Sequence, residues 1–113
     1  INIHPSLLPQ FPGLNTHQRA ITAGDREHGA SVHFVTADID SGPIIIQRTV
    51  PIDAADTPET LARKVLVQEH QIYPLAIKWF AESRLQVLAG RVLLDGENQP
   101  QQGLKTGPDK QNN

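Results

Sequence analysis

The sequence predicts an α/β fold, and three observations carry that expectation. Two β-rich runs, "ASVHFVT" and "PIIIQRTV", flank a turn-forming "ADIDSG". A long stretch, "DTPETLARKVLVQEHQIYPLAIKWFAESR", repeats apolar residues at spacings of three and four. The opening "INIHP" reads as the end of a strand stopped by a proline.

Taken in order, the elements justify themselves by local chemistry. Strand side chains alternate between faces, so Asn2 and His4 point the same way at the tip of the first strand, ahead of prolines at 5, 9 and 12. "GLNTHQRAITAG" predicts a short helix, with Asn15 and Gln18 spaced as a capping box and Gly24 as its stop. The two β-rich runs are expected to be adjacent strands. In the long helix Thr57 is the N-cap and Pro58 the first helical residue. Leu61, Val65, Gln68, Ile72 and Ala76 form its core stripe, with a kink expected at Pro74. "LQVL" and "RVLL" around Ala-Gly predict a terminal hairpin. From Glu97 onward the residues are polar, which divides the chain into a folded 1–96 and a tail, 97–113, expected to be disordered.

Composition narrows the class. A chain of 113 residues with 38% hydrophobic content has room for one domain of the usual ~100–150 residues. Its net charge of −2 and scattered Lys and Arg offer no footprint for nucleic acid or an anionic membrane. No apolar run approaches the ~20 residues of a membrane span, no signal-peptide layout is seen, and there is no cysteine for disulfide or thiolate chemistry. A cytoplasmic enzyme or binding domain is the default expectation.

Several residues could carry chemistry, each with a plainer alternative. Asn2 and His4 stand where open α/β sheets place ligands, although a strand-end Asn can satisfy backbone groups and a His can pack under a proline loop. A rigid proline loop is also what holds a reactive side chain still. Asp40 in "DIDSGP" can bond its own turn, or stand beside His4 and favour a charged, donating imidazole near neutral pH; spacing alone does not choose. Glu69 lies about 80° around the helix from Leu61, at the margin of the core stripe, as an edge residue or a substrate contact. His17, His28, His33 and His70 lack metal-site spacing, so no metal is expected.

The blocks "NIHPSLLPQFPG", "HGASVHFVTADIDSGPIIIQ" and "VQEHQIYPLAIKWF" resemble, in this order and spacing, the single-function bacterial phosphoribosylglycinamide formyltransferases. The resemblance runs from Ile1 to about Leu94 and covers the C-terminal half of that family's chain. It implies the C-terminal half of a Rossmann-like domain, with a mixed sheet, a long kinked helix and a terminal hairpin. On this view Ile1 begins in mid-sheet because the N-terminal half, with its Gly-rich phosphate loop and part of the folate pocket, lies elsewhere, and the segment alone is expected to be inactive. The implied reaction moves a formyl group from 10-formyltetrahydrofolate to the amine of glycinamide ribonucleotide in purine biosynthesis, without a metal. Asn2, His4 and Asp40 match the family's catalytic residues, and Asn2 with Thr36, Ala37, Asp38, Ile39 and Asp40 matches the folate-binding positions. Glu69 matches a nucleotide contact. Leu66 departs from the Lys or Gln that some members place there to face the phosphate.

Competing readings are formyltetrahydrofolate deformylase, which uses water as acceptor, and a non-catalytic small-molecule binding module. The "EHGASVHFV" block sits closer to the transferase. Methionyl-tRNA formyltransferase would be expected to bring a basic RNA-binding domain, and no basic cluster is present here.

Overall fold

The computed structural model describes residues 1–98 and 104–106. In chain order these form β1 (Asn2–His4), α1 (Thr16–Thr22), β2 (Glu27–His33), β3 (Ile44–Pro51), α2 (Pro58–Ala81), β4 (Leu85–Leu88), β5 (Arg91–Leu94), β6 (Glu97–Asn98) and β7 (Leu104–Thr106). One mixed sheet has the order β1-β2-β3-β7, antiparallel except for the parallel β3/β7 pair. A second, antiparallel sheet has the order β4-β5-β6. Among the described residues no helix is long and apolar enough to cross a membrane.

The β2/β3 pair forms as the two β-rich runs predict, but β2 starts earlier, at Glu27. Gly29 makes the earlier start possible. A Cβ there would lie 2.0 Å from the Arg48 carbonyl and 2.9 Å from Leu7 Cδ2, so only glycine lets the proline-rich loop settle onto the sheet. At its other end β2 stops at His33. Val32 pairs with Ile46 and His33 with Ile44, leaving Ile45 as a bulge that ends regular pairing.

Helix α2 is capped as expected. The Thr57 hydroxyl accepts from the Thr60 amide, the Thr60 hydroxyl accepts from the Thr57 amide, and Pro58 opens the helix. Lys64 anchors the preceding loop by donating to Pro51 O and pairing with Asp53 and Asp56. The anticipated stripe of Leu61, Val65, Gln68, Ile72 and Ala76 is buried, with Trp79 continuing it, and the helix runs through Pro74 as one element. Leu61, Val65, Ile72, Ala76 and Trp79 pack with Ala30, Val32, Ile46 and Val50 of the sheet, so the core lies between α2 and β2/β3.

Two expectations need correction. Asn15 does not cap α1 through its side chain, because its backbone is left-handed (φ 58°) whereas a capping side chain needs an extended N-cap. Gln18 instead donates to Thr22 Oγ1. Gly24, at φ 74°, does end the helix. The stretch from Glu97, expected to be without structure, contributes β6 and β7 through backbone pairing to β5 and β3; its other residues lie outside the described ones. The hairpin forms as predicted, turning through Ala89 and Gly90, both at positive φ.

Candidate active site

The loop after β1 is fixed to the sheet by a buried polar network. Ser31 Oγ donates to Ser6 O and accepts from the Leu8 amide and from Gln47 Nε2. Gln47 Nε2 also donates to Leu8 O. Ser31 therefore uses its one donor and both acceptor positions. Leu8 and Ser6 are buried, and the Ser6 hydroxyl closes the turn on Gln10 O.

Register brings Asn2 opposite His33 and His4 opposite Ser31, so these side chains share one face of the sheet. His4 is buried, at 6% exposure. Its Nε2 donates to Phe11 O at 2.8 Å, and its Nδ1 lies 3.4 Å from Asp40 Oδ2. Both ring nitrogens thus face oxygen atoms. Asp40 comes from the 34–43 loop, which is closed at its base by Phe34 N donating to Pro43 O. Gly42 packs there so tightly that a Cβ would meet Phe34 O at 1.7 Å. Asp40 itself sits at φ 52°, a conformation Asp tolerates better than most residues. Its Oδ2 also accepts the Gly13 amide at 2.9 Å, which joins the two loops.

The geometry also brings in His33, to which the sequence reading assigned no role. Its Nδ1 donates to Phe34 O, while Nε2 is buried without a hydrogen-bond partner and lies 4.0 Å from Asp40 Oδ1. The bulge at Ile45 accompanies this placement, as bulges commonly re-aim a side chain beside a functional site. Neither the bulge nor the Gly13 donor has a signature in the residue types. Asn2 is exposed on the same face. Glu69 is half-buried, and burial pushes its carboxyl above the usual carboxylate range against the opposing pull of His70 and His4. Glu69 is thus near enough for the His4 charge to act on it. Thr36, Ala37, Asp38 and Ile39 are exposed, next to an open groove of about 990 Å³ walled by Leu8, Pro9, Ile39, Pro43 and Ile44 with Asp40 at one side. Leu66 is exposed on α2. Among the described residues no three His, Cys, Asp or Glu side chains cluster as metal ligands.

A second histidine pair lies outside this constellation. His17 Nδ1 is 3.1 Å from His28 Nε2, the two rings are edge to face, and His28 also meets the Phe11 ring edge-on. Burial, then the neighbouring His17 and His4, pushes His28 down to about 4. Burial lowers His17 as well.

The sequence profile described as "Formyl transferase" matches residues 1–77, which include β1, both loops and most of α2. The chain belongs to the formyl transferase family. Among formyl transferases it is 52% identical over 103 residues to the phosphoribosylglycinamide formyltransferase of Escherichia coli, covering 91% of this chain and 49% of that protein. The solved structure of the phosphoribosylglycinamide formyltransferase of Coxiella burnetii is 51% identical with a TM-score of 0.89, over 93% of this chain and 49% of its own. A formyltetrahydrofolate deformylase from Pseudomonas syringae is similar at 31% identity and a TM-score of 0.79, over 82% of this chain and 31% of its own. The chain spans about half the length of the transferases it matches. As expected from the three quoted blocks, this formyl transferase segment corresponds to half of such a protein, with a mixed α/β architecture.

Proposed function

We propose that this chain is the chemistry-bearing half of a phosphoribosylglycinamide formyltransferase, which moves the formyl group of 10-formyltetrahydrofolate to the primary amine of glycinamide ribonucleotide in purine biosynthesis. The observation that carries the reading is the buried His4 ring held between Phe11 O and the Asp40 carboxylate, on the face where Asn2 is exposed. In the reaction the amine nitrogen bonds to the formyl carbon, the bond from that carbon to the folate nitrogen breaks, and one proton passes from the amine to the departing nitrogen. Negative charge gathers on the formyl oxygen meanwhile. The Asn2 amide and the His4 imidazolium supply donors for that oxygen, and such donors are worth about 2.7–4 kcal/mol each. Nε2 of His4 donates to Phe11 O, so the formyl oxygen competes with that carbonyl for the donor. Asp40 relays the proton through an ordered water while supporting the charge on His4.

The exposed segment of Thr36, Ala37, Asp38 and Ile39, beside the groove, suits the flat heterocycle of the folate. Glu69, half-buried and within reach of the His4 field, suits the nucleotide. The Gly-rich phosphate loop belongs to the other half of the domain. The transferase reading is favoured over the hydrolase by 51–52% identity to named transferases against 31% to the named deformylase.

The test uses the full-length protein with both acceptors available. Formyl transfer to glycinamide ribonucleotide should depend on Asn2 and His4, each alanine variant lowering kcat by about 10²–10³. Glu69→Gln should raise the nucleotide KM severalfold while leaving kcat within about threefold, as expected for a contact made equally in ground and transition states. Formate release that proceeds equally well without the amine would make the protein a hydrolase and overturn the proposal.

A further inference from the structure

The Gly13 amide ties the proline-rich loop to the Asp40 loop, and that donor is bracketed by a single side chain. Arg19 Nη1 donates to Pro12 O at 2.6 Å and to Leu14 O at 2.9 Å, the two carbonyls on either side of Gly13. The same guanidinium lies 5.4 Å above the Phe11 ring, and its Nη1 lies 4.0 Å from where a Cβ on Gly13 would stand. Gly13 is at φ 86°, so the bend that points its amide at Asp40 is one that side chains other than glycine resist. Two carbonyls held by one cation define the plane of the bend, and with it the direction of the Gly13 N–H. Arg19 itself is anchored in α1, whose Thr16 hydroxyl binds Pro5 O at the start of the loop.

We infer that Arg19 is a positioning residue for Asp40. It fixes the Gly13 amide, the amide holds Asp40 Oδ2 at 2.9 Å, and Oδ2 is the oxygen that faces His4 Nδ1. Asp40 stands at φ 52° on an exposed loop, where it needs an external contact to keep one orientation. Arg19 touches none of the groups assigned above to substrate. Its effect therefore passes through Asp40 and falls on the chemical step. The kinetic part of this inference rests on the function proposed above; the structural part, Arg19 to Gly13 to Asp40, stands apart from it.

Both parts can be read in the full-length protein with three variants. Arg19→Met keeps the apolar stem over Phe11 and removes the donors, Arg19→Lys keeps a cation able to bridge the two carbonyls, and Asp40→Asn supplies the partner change for a double-mutant cycle. In the 15N-glycine-labelled protein, the Gly13 amide should exchange with solvent at least about tenfold faster in Arg19→Met, and should stay near wild type in Arg19→Lys. For formyl transfer, Arg19→Met should lower kcat by about 10–100-fold with both KM values within about threefold, since small misplacements of reacting groups cost rate at this scale. Arg19→Lys should recover most of that loss. Combining Arg19→Met with Asp40→Asn should cost far less than the product of the two separate losses. An unchanged Gly13 amide in Arg19→Met overturns the clamp. Multiplicative losses, or a kcat that rises when Arg19 is removed, overturn its action through Asp40. A full-length protein that transfers no formyl group would refute the proposed function, while the Gly13 exchange would still decide the clamp.

Discussion

Lowering the pH should destabilise the folded protein through His28. This ring is buried at 1% exposure, and burial, followed by the positive charge that His17 and His4 can carry, pushes it from 6.5 to about 4. The folded state therefore resists binding a proton that the unfolded chain takes up readily below pH 6.5. Between those limits the unfolded state holds more protons, so stability falls as the pH drops through the window and levels off below about 4. Each tenfold difference in proton affinity is about 1.4 kcal/mol, so the shift from 6.5 to about 4 corresponds to a loss of about 3 kcal/mol. This is a sizeable share of the ~5–15 kcal/mol that holds a typical domain together. The loss should act locally first, because His28 contacts His17 on α1 and the ring of Phe11, whose carbonyl binds His4. Urea unfolding of the full-length protein at pH 8, 6 and 4 measures it, with His28→Gln for comparison. Whatever offset the substitution introduces at pH 8, the variant should lose about 3 kcal/mol less than wild type on going toward pH 4. Parallel losses in the two proteins would show that His28 is not kept neutral by the fold, and the reasoning would fail.

Two further outcomes are expected. Asp40→Asn should lower the rate of single-turnover formyl transfer more than it weakens substrate binding. Combined with His4→Ala it should cost much less than the product of the separate losses, because the 3.4 Å pair acts as one unit; strictly multiplicative effects would separate the two residues. In the hairpin turn, Ala89 adopts φ 53°, which a β-carbon disfavours by roughly 1–2 kcal/mol. Ala89→Asn should therefore raise stability by about 0.5–1 kcal/mol, seen as a higher urea midpoint, since Asn-Gly suits such turns. A lower midpoint would count against that reading of the turn.

What the sequence determined by itself is the part governed by local rules. Alternation put Asn2 and His4 on one face, and the turn formers around Asp40 marked the loop between two adjacent strands. Thr57-Pro58 and the stripe from Leu61 to Ala76 located α2 and its buried side, because capping and periodicity act within a few residues. At Asn15 the local rule failed, since the loop that Arg19 and the Thr16–Pro5 contact tie down imposes a left-handed backbone there. Only the tertiary structure decided what meets across the loops. His33 reaches Asp40 where a bulge ends regular pairing, His17 finds His28 when α1 folds back on β2, and Gly13 contributes nothing but a backbone N–H. Such contacts depend on how two distant segments close on each other, and a backbone donor is carried by nearly every residue type. For that reason the residue string shows which side chains can do chemistry at this site, while the packing of the loops decides which way they face.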